Sequence, residues 1–319
     1  MAIDHEVRIL TQDEYPLWDT LVMKSPQGTI FHSSKWVKTC AELSLKKEIL
    51  YGFFRNDNLE GGCSVYSYKK YHLFSIAESN ASMTPYGGYI LAPQESSKVR
   101  EKEHISKTII SEINKELIKK FHYIKIVNSP GISDIRPFVW NRWKPSIYYA
   151  YFFDLNDHIE ENFSKNVRRT IRKGQKLDIT TKKENDSDLY YTLYCKTYEK
   201  QHLTPPVSKK FLLKMINFII SNNLGEMWIA RTPTGEPAAA EIVIWDNKFA
   251  HRWSAASDER FKDAGATTLL LFEIFQDLFQ RGFREINLMA GNTPHLTKFI
   301  SSFNPRLVPY YGVEKFFIF

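Results

Sequence analysis

Cysteine is scarce in this chain of 319 residues, which has only Cys40, Cys63 and Cys195. They are odd in number, far apart and without a C-x-x-C pair. That excludes a disulfide framework and a thiolate zinc site. Free thiols fit a reducing compartment, so a cytoplasmic location is expected. The nine histidines are scattered with no H-x-x-x-H pair, and no metal mechanism is expected. Long apolar runs are missing too. The richest window, Phe211 to Ile220, is interrupted by Lys214 and Asn217 and is too short to span a bilayer. The opening Met-Ala-Ile-Asp-His-Glu is polar and lacks the pattern of a secretory leader. Neither a G-x-S-x-G elbow nor a G-x-x-x-x-G-K-S/T loop occurs, which argues against a serine hydrolase of that type and a P-loop enzyme.

Aromatic residues, by contrast, are plentiful at 14%, with 22 Phe and 17 Tyr, and these imply thick aromatic packing. Hydrophobic residues reach 43%, enough for a sizeable core in a chain long enough for two domains. The net charge of +7 favours acidic partners: phosphates, nucleic acid or anionic lipid.

No low-complexity linker marks a boundary, but an approximate internal repeat does. Residues 48–68 alternate like a hairpin around Arg55-Asn56-Asp57-Asn58 and reach Gly61-Gly62. Residues 226–245 do the same around Thr232-Pro233-Thr234-Gly235 and reach Ala238-Ala239-Ala240. An amphipathic helix follows in each half. Ile105, Ile109, Ile113 and Leu117 mark the first, and Leu270, Leu271, Ile274, Phe275, Leu278 and Phe279 the second, which Gly282 stops. A strand comes next in both, at 123–128 and 285–289. Shorter helical stretches open the halves, at Ser34 to Leu43 and Asp188 to Lys200. Between the halves, 158–176 reads as a basic helix and Leu177 to Thr181 as a strand.

Two segments suit phosphate. In the basic helix, Arg168 and Arg172 are four residues apart, as are Arg169 and Lys173, so two adjacent rows share one face. The alternative is a solvated basic face. The second segment runs from Asp258 to Thr267, after a strand at 248–257 and opening a helix. Backbone N–H groups at such a helix start bind anions, Gly265, Ala266 and Thr267 are small enough for close approach, and Arg260 and Lys262 add charge. An ordinary tight turn is the alternative.

Other polar residues are candidates for the chemistry of transfer to an amine, which needs a neutral amine, a stabilised oxyanion and a proton for the leaving group. Glu241, in the apolar run Ala238 to Trp245, is either a base or acceptor anchor, or part of an exposed strand face. Asn287, which alternates with Met289 along one strand, is an acceptor ligand or a satisfied strand amide. Lys298 is a stabiliser of transition-state charge, a phosphate ligand or a surface lysine. His202, in a loop after 188–200, caps the acceptor or is a plain surface histidine.

The order strand, Arg-x-x-x-x-Gly-Ala, helix, strand resembles the acyl-CoA-binding core of the GNAT superfamily, whose pattern is Arg/Gln-x-x-Gly-x-Gly/Ala. Arg260 and Gly265 match it. Asp263 stands at the first glycine position, where a carboxylate repels a close pyrophosphate. The run from Asn166 to Ile179 resembles the Arg-x-x-Ile-Arg-Lys-Ala-x-Lys segment of FemAB-like proteins. These are tandem GNAT-fold enzymes, several of which transfer amino acids from aminoacyl-tRNA onto peptidoglycan precursors. Phe31-His32-Ser33-Ser34-Lys35-Trp36 is similar to their aromatic-Gln-Ser-x-x-Trp opening, and Pro85-Tyr86-Gly87-Gly88-Tyr89 to their Gly-Gly turn. Leu296 to Asn304 resembles their Phe-Lys-x-x-Phe-Gly stretch with a different Lys-Phe order. Their long coiled-coil arm has no counterpart here.

The resemblance implies an α/β (α+β) fold of two tandem GNAT-like domains, each a mixed, mostly antiparallel sheet flanked by helices. Residues 1–155 would be the scaffold or acceptor side, and 156–319 the donor-binding and transfer side. It implies an N-acyltransferase with no tightly bound cofactor, moving an acyl or aminoacyl group to an acceptor amine. Acyl-CoA or aminoacyl-tRNA is the donor, and an envelope or polysaccharide precursor, at the membrane surface in one version, is the acceptor. A strand N–H near Ser254 to Ser257 would serve the oxyanion. The competing expectation is a catalytically degenerate module that binds RNA or an anionic, phosphate-bearing ligand.

Overall fold

The computed structural model describes residues 5–199 and 202–317. The first four residues of the polar opening, and Lys200 and Gln201 before His202, lie outside them. The described chain divides into two compact units. One comprises the residues through Tyr148 and those from Pro309 on; the other runs from Tyr149 to Val308. The boundary therefore falls ahead of the 155/156 division read from the sequence, and the last strand belongs to the first unit from Pro309 on. That strand gains its partner there: Gly312 to Phe316 pair with Val127 to Tyr123.

The elements of the first unit are β1 (His5–Ile9), α1 (Tyr15–Lys24), α2 (Ser34–Leu43), β2 (Lys47–Arg55), β3 (Asn58–Lys70), β4 (Phe74–Glu78), β5 (Gly88–Leu91), α3 (Val99–Lys120), β6 (Tyr123–Val127) and α4 (Arg136–Val139). The chain continues through β7 (Lys144–Asp154), α5 (Ile159–Asn162), α6 (Lys165–Lys176), β8 (Thr180–Lys183), α7 (Ser187–Glu199), α8 (Lys209–Ser221), β9 (Gly225–Arg231) and β10 (Pro237–Trp245). Then come β11 (Ala250–Ser257), α9 (Ala266–Gln280), β12 (Glu285–Ala290), α10 (Pro294–Ser301) and β13 (Arg306–Phe316).

In the first unit the strands run β1-β2-β3-β4-β6-β13, with β5 also on β3. The β2–β3 turn places Asn56 and Asp57 at φ 46° and 63°, left-handed values that these two residue types tolerate and that match hairpin twist. Apolar spacing on α3 brings Ile109, Ile113 and Leu117 onto the sheet, where they meet Tyr51, Phe53, Val65 and Ile124 in one core.

In the second unit the order is β7-β12-β11-β10-β9-β8. The core-facing side of α9 carries Leu270, Leu271, Ile274, Phe275 and Leu278, all buried. Phe153 stacks on Phe275 at 4.8 Å between centroids. Each unit is mixed and mostly antiparallel, with one parallel pair: β4 with β6, and β11 with β12. The hairpin, helix, strand order read from each half is present in each unit.

The expected continuous helix over 158–176 is broken. Phe163 is extended (ψ 147°) and buried against Phe153, Phe272, Phe275 and Phe303. The Ser164 hydroxyl then accepts from Val167 N and starts α6 afresh. Leu177 and Asp178 form a turn, with Asp178 at φ 51°, so the following strand begins at Thr180 rather than Leu177.

Leu270 is fully buried, so Leu270→Ala removes three methyl(ene)-sized groups from a packed site. The expected loss is about 2–5 kcal/mol, read as a lower urea midpoint. An unchanged midpoint would place the core of the second unit elsewhere.

Candidate active site

The parallel ladder between β11 and β12 is two residue pairs long, Ala250 with Ile286 and His251 with Asn287. Beyond it β11 runs on to Ser257 without β12. Both strands are irregular at that point. β11 bulges at Trp253 against β10, where the register shifts between Ile242 and Val243. β12 shifts register against β7 between Asn287 and Met289, and Met289 and Ala290 take φ 56° and 53°. A bulge adds a residue on one side only, so the strands diverge.

The freed edge of β11 has a definite orientation. Thr197 Oγ1 accepts from Ser257 N (2.8 Å), and its one proton is shared between Leu193 O (3.0 Å) and Ser257 O (3.2 Å), so both backbone groups of Ser257 face away from β10. Asp258 N, one residue on, points back and donates to Ala238 O. By the two-residue period, Ala255 repeats Ser257. Its N–H and C=O therefore lie along the edge that β12 has left, and Ala255 is half-buried.

Polar groups flank this strand on two sides. Tyr190, from α7, donates to Ser254 Oγ at 2.6 Å, and burial pushes the Tyr190 hydroxyl well above its ordinary pKa. Arg252 holds both oxygens of Glu241, with Nε–Oε2 at 2.9 Å. Glu241 is fully buried and Arg252 nearly so. Burial pushes the Glu241 carboxyl up, and the guanidinium pulls it back. Glu241 is therefore not on an exposed strand face, and Arg252 occupies both of its acceptor oxygens. Asn287 is fully buried and its Oδ1 accepts from Met289 N at 2.8 Å. The alternation that would put Asn287 and Met289 on one face is interrupted by the register shift.

Immediately after β11 the chain makes a 3-10 turn, Glu259 to Ala264, capped by Asp258. Asp258 accepts from the backbone and guanidinium of Arg260 and from Lys196 Nζ (2.6 Å), and these contacts hold its carboxyl well below the ordinary value. Arg260 also reaches Glu236 at 3.2 Å. Its guanidinium is thus committed to two carboxylates, although it remains exposed. Lys262 lies 3.4 Å from Glu259, and Asp263 is exposed. Gly265 takes φ 82°, and a Cβ there would sit 2.6 Å from the carbonyl oxygen of Thr170, on α6. Ala266 is buried and Thr267 half-buried, and no side chain caps α9 and no acid lies in its first turn.

The basic helix lies against this start. Its buried face is Val167, Ile171 and Gly174. A Cβ on Gly174 would already press Leu269 of α9 at 3.2 Å. The opposite face exposes Lys165, Arg169, Arg172, Lys173 and Lys176, none of them in an ion pair among the described residues. Arg168 is half-buried, with its guanidinium turned to the carbonyls of Glu160 and Glu161 at 3.5 Å. The basic helix and the turn that leads into α9, far apart in sequence, are therefore neighbours. Ser164 N also donates to Ser302 O, which joins the start of α6 to the end of α10. Lys298 is exposed on α10, and His202 is exposed at φ 54° after α7.

Sequence reasoning missed Arg252, Tyr190, Thr197 and Lys196. The one available cue was a charge of each sign, Glu241 and Arg252, in facing apolar strands. Among the described residues no cluster of His, Cys, Asp and Glu could hold a metal, and no helix is long and apolar enough to cross a membrane.

Residues 161–295 match the family model of the Acetyltransferase (GNAT) domain. No curated protein sequence matches the chain. Among solved structures, FemX is similar over 96% of each chain, at 11% identity and a TM-score of 0.72. L-PGS from Bacillus licheniformis is similar over 95% of this chain and 91% of its own, at 9% identity and 0.56. A tandem GNAT protein from the clavulanic acid biosynthesis pathway is similar over 98% of each, at 10% and 0.54. At these identities the likeness is one of fold. The FemAB-like, GNAT-type fold that the motifs implied is the fold observed.

Arg252→Met would leave Glu241 buried without its cation, at an expected cost of about 3–5 kcal/mol at neutral pH. In that variant the folded-state carboxyl titrates above the unfolded value of about 4.3. Its stability is then greatest below that value and is lost as pH rises. Urea unfolding at acid and neutral pH should show the deficit shrinking in acid. A deficit independent of pH would mean that the pair is not ionised.

Proposed function

We propose that this GNAT-fold chain of the FemAB-like kind is an N-acyltransferase whose second unit takes an aminoacyl group from aminoacyl-tRNA and passes it to an acceptor amine. The observation that carries the reading is the run of cations on α6, which make no ion pair among the described residues, beside the start of α9, which no side chain caps. A helix of 12 residues at about 1.5 Å per residue extends roughly 18 Å. That is longer than one pyrophosphate needs and suits successive phosphates of a nucleic-acid backbone. Arg260, the residue best matched to acyl-CoA recognition, is held by Asp258 and Glu236, and Asp263 adds a negative charge at the turn. Both facts favour tRNA over coenzyme A as the carrier.

The chemistry is direct attack. The neutral amine bonds to the ester carbonyl carbon, the oxyanion is met by the Ala255 N–H, and the bond to the ribose oxygen breaks. The amine proton ends on that leaving oxygen. No covalent relay on a buried thiol fits, because burial pushes Cys40 up to about 12 and Cys63 higher still. In this reading Glu241 is a positioning residue acting through Arg252, Asn287 sets the point where β11 and β12 part, and Lys298 and His202 are acceptor-side contacts. An envelope or polysaccharide precursor bearing an amine is the acceptor class.

Transfer from aminoacyl-tRNA and from acyl-CoA to a panel of amines tests this. Arg169→Glu with Lys173→Glu should raise KM for aminoacyl-tRNA about tenfold or more and flatten its salt dependence. Transfer from acyl-CoA alone would overturn the choice of donor. Salt-sensitive RNA binding without transfer from either donor would leave the chain a binding module.

A further inference from the structure

One end of the first unit's sheet is unlike the rest of its surface. β2 and β4 start there and β3 and β13 finish there. Lys47 faces Ser67, Lys70 faces Phe74, and both Ile76 and Phe316 face Tyr123. Leu45 at 93%, Leu73 at 75% and Tyr71 at 73% exposure stand out from it, with Phe74 and Phe316 behind them, their rings 6.5 Å apart. Lys46 Nζ lies over the Tyr68 ring at 4.3 Å and ties the Leu45 turn to the β3–β4 hairpin.

The turns themselves are informative. The β2–β3 hairpin of the same sheet fills its left-handed positions with Asn56 and Asp57, which suit them. The β3–β4 hairpin fills them with Tyr71 and His72, at φ 53° and 59°, and the turn after α2 puts Leu45 at φ 54°. Bulky residues in that region cost conformational energy. The Tyr71 ring has Lys70 Nζ at 5.3 Å, and Leu45 and Leu73 stand out exposed, so a group of apolar side chains gathered there gains little from folding and marks an interaction surface. Charge says what it meets. Lys47, Lys69 and Lys70 surround these side chains and make no ion pair among the described residues. No carboxylate occurs between Glu60 and Glu78. The nearest acids on β4 and β13 are engaged, Glu78 by Lys46 and Glu314 by Tyr123 and Lys144.

We propose that this end seats on an anionic membrane surface, with Leu45, Tyr71, Leu73 and Phe74 entering the headgroup layer and Lys47, Lys69 and Lys70 holding lipid phosphates. Apolar side chains on protruding tips, ringed by lysine, match a soft interface that is oily below and anionic above. Nucleic acid would not reward the exposed leucines.

Sedimentation of the full chain with vesicles of phosphatidylglycerol, and separately of phosphatidylcholine, tests this. Binding to the first and little to the second is expected. Leu73→Ser with Phe74→Ser should weaken it about tenfold, and Lys69→Glu with Lys70→Glu about thirtyfold or more, in both cases with unchanged circular dichroism. Arg169→Glu with Lys173→Glu, which tests the α6 reading, should leave vesicle binding as it was. The proposal fails if phosphatidylglycerol vesicles do not carry the chain down, or if both hairpin variants sediment like the unsubstituted protein. It also fails if the α6 variant alone abolishes binding, because the surface contact would then be the basic helix.

Discussion

The second unit depends on where one strand pair stops. Two strands that diverge after two residue pairs leave a length of β11 with backbone groups that no strand among the described residues takes. A buried edge in that state would cost free energy, so it must lie open or meet a ligand. Thr197 takes the Ser257 end of that edge, which leaves half-buried Ala255 as the remaining step. The same divergence sends β11 directly into the 3-10 turn, and Gly265 then starts α9 with its amides uncapped. Gly265 and Gly174 matter because α6 and α9 approach closely at both points, and a Cβ at either would push the basic helix off the helix start. Charge, amides and open edge thus share one cause in the backbone.

The first unit has the same divergence and fills it. Gly87 bridges Asn128 in parallel, after which β5 and the chain beyond β6 part. Gln27 lies between them. Its Oε1 accepts from Leu91 N at 3.1 Å, its carbonyl accepts from Ser129 Oγ at 2.8 Å, and its amide reaches Gly131 O at 3.5 Å. Ser25, fully buried, adds a second acceptor for Leu91 N. The helix that follows also starts without a side-chain cap, but unlike α9 it carries an acid in its first turn: Glu101, which accepts from Ser96 Oγ and pairs with Lys98. A carboxylate at a helix start takes the place an external anion would occupy. The two units share an element order, but among the described residues the second lacks both the side-chain filling of the divergence and the first-turn acid that the first unit has.

Much of this was legible in the sequence because periodicity reports burial. The α3 and α9 stripes, both hairpins and the turn into α9 each follow from local spacing. What escaped was set by partners distant in sequence. Glu241 reads as a lone acid on an apolar strand until Arg252 faces it across β10 and β11. Arg260 reads as a phosphate ligand until Asp258 and Glu236 claim it. The break at Phe163 could not be read from a basic helical pattern, because it is imposed by four other phenylalanines in the core. The return of β13 to the first unit is likewise a matter of pairing with β6, which local pattern does not encode.

The Glu241–Arg252 pair then needs an explanation other than stability. Desolvating two charges offsets most of their attraction, and an apolar pair of similar volume would stabilise the sheet as well or better. An ion pair with two parallel hydrogen bonds adds direction. Glu241 lies opposite Ala255 while Arg252 lies opposite Val243, so the pair reaches diagonally across the bulge at Trp253. An apolar pair could slide there by one residue, and a one-residue slip in a strand turns every side chain and every backbone group to the other side. A slip would turn the Ala255 N–H toward β10 and close the edge. The pair therefore fixes register at a place where the register decides whether a backbone donor faces outward.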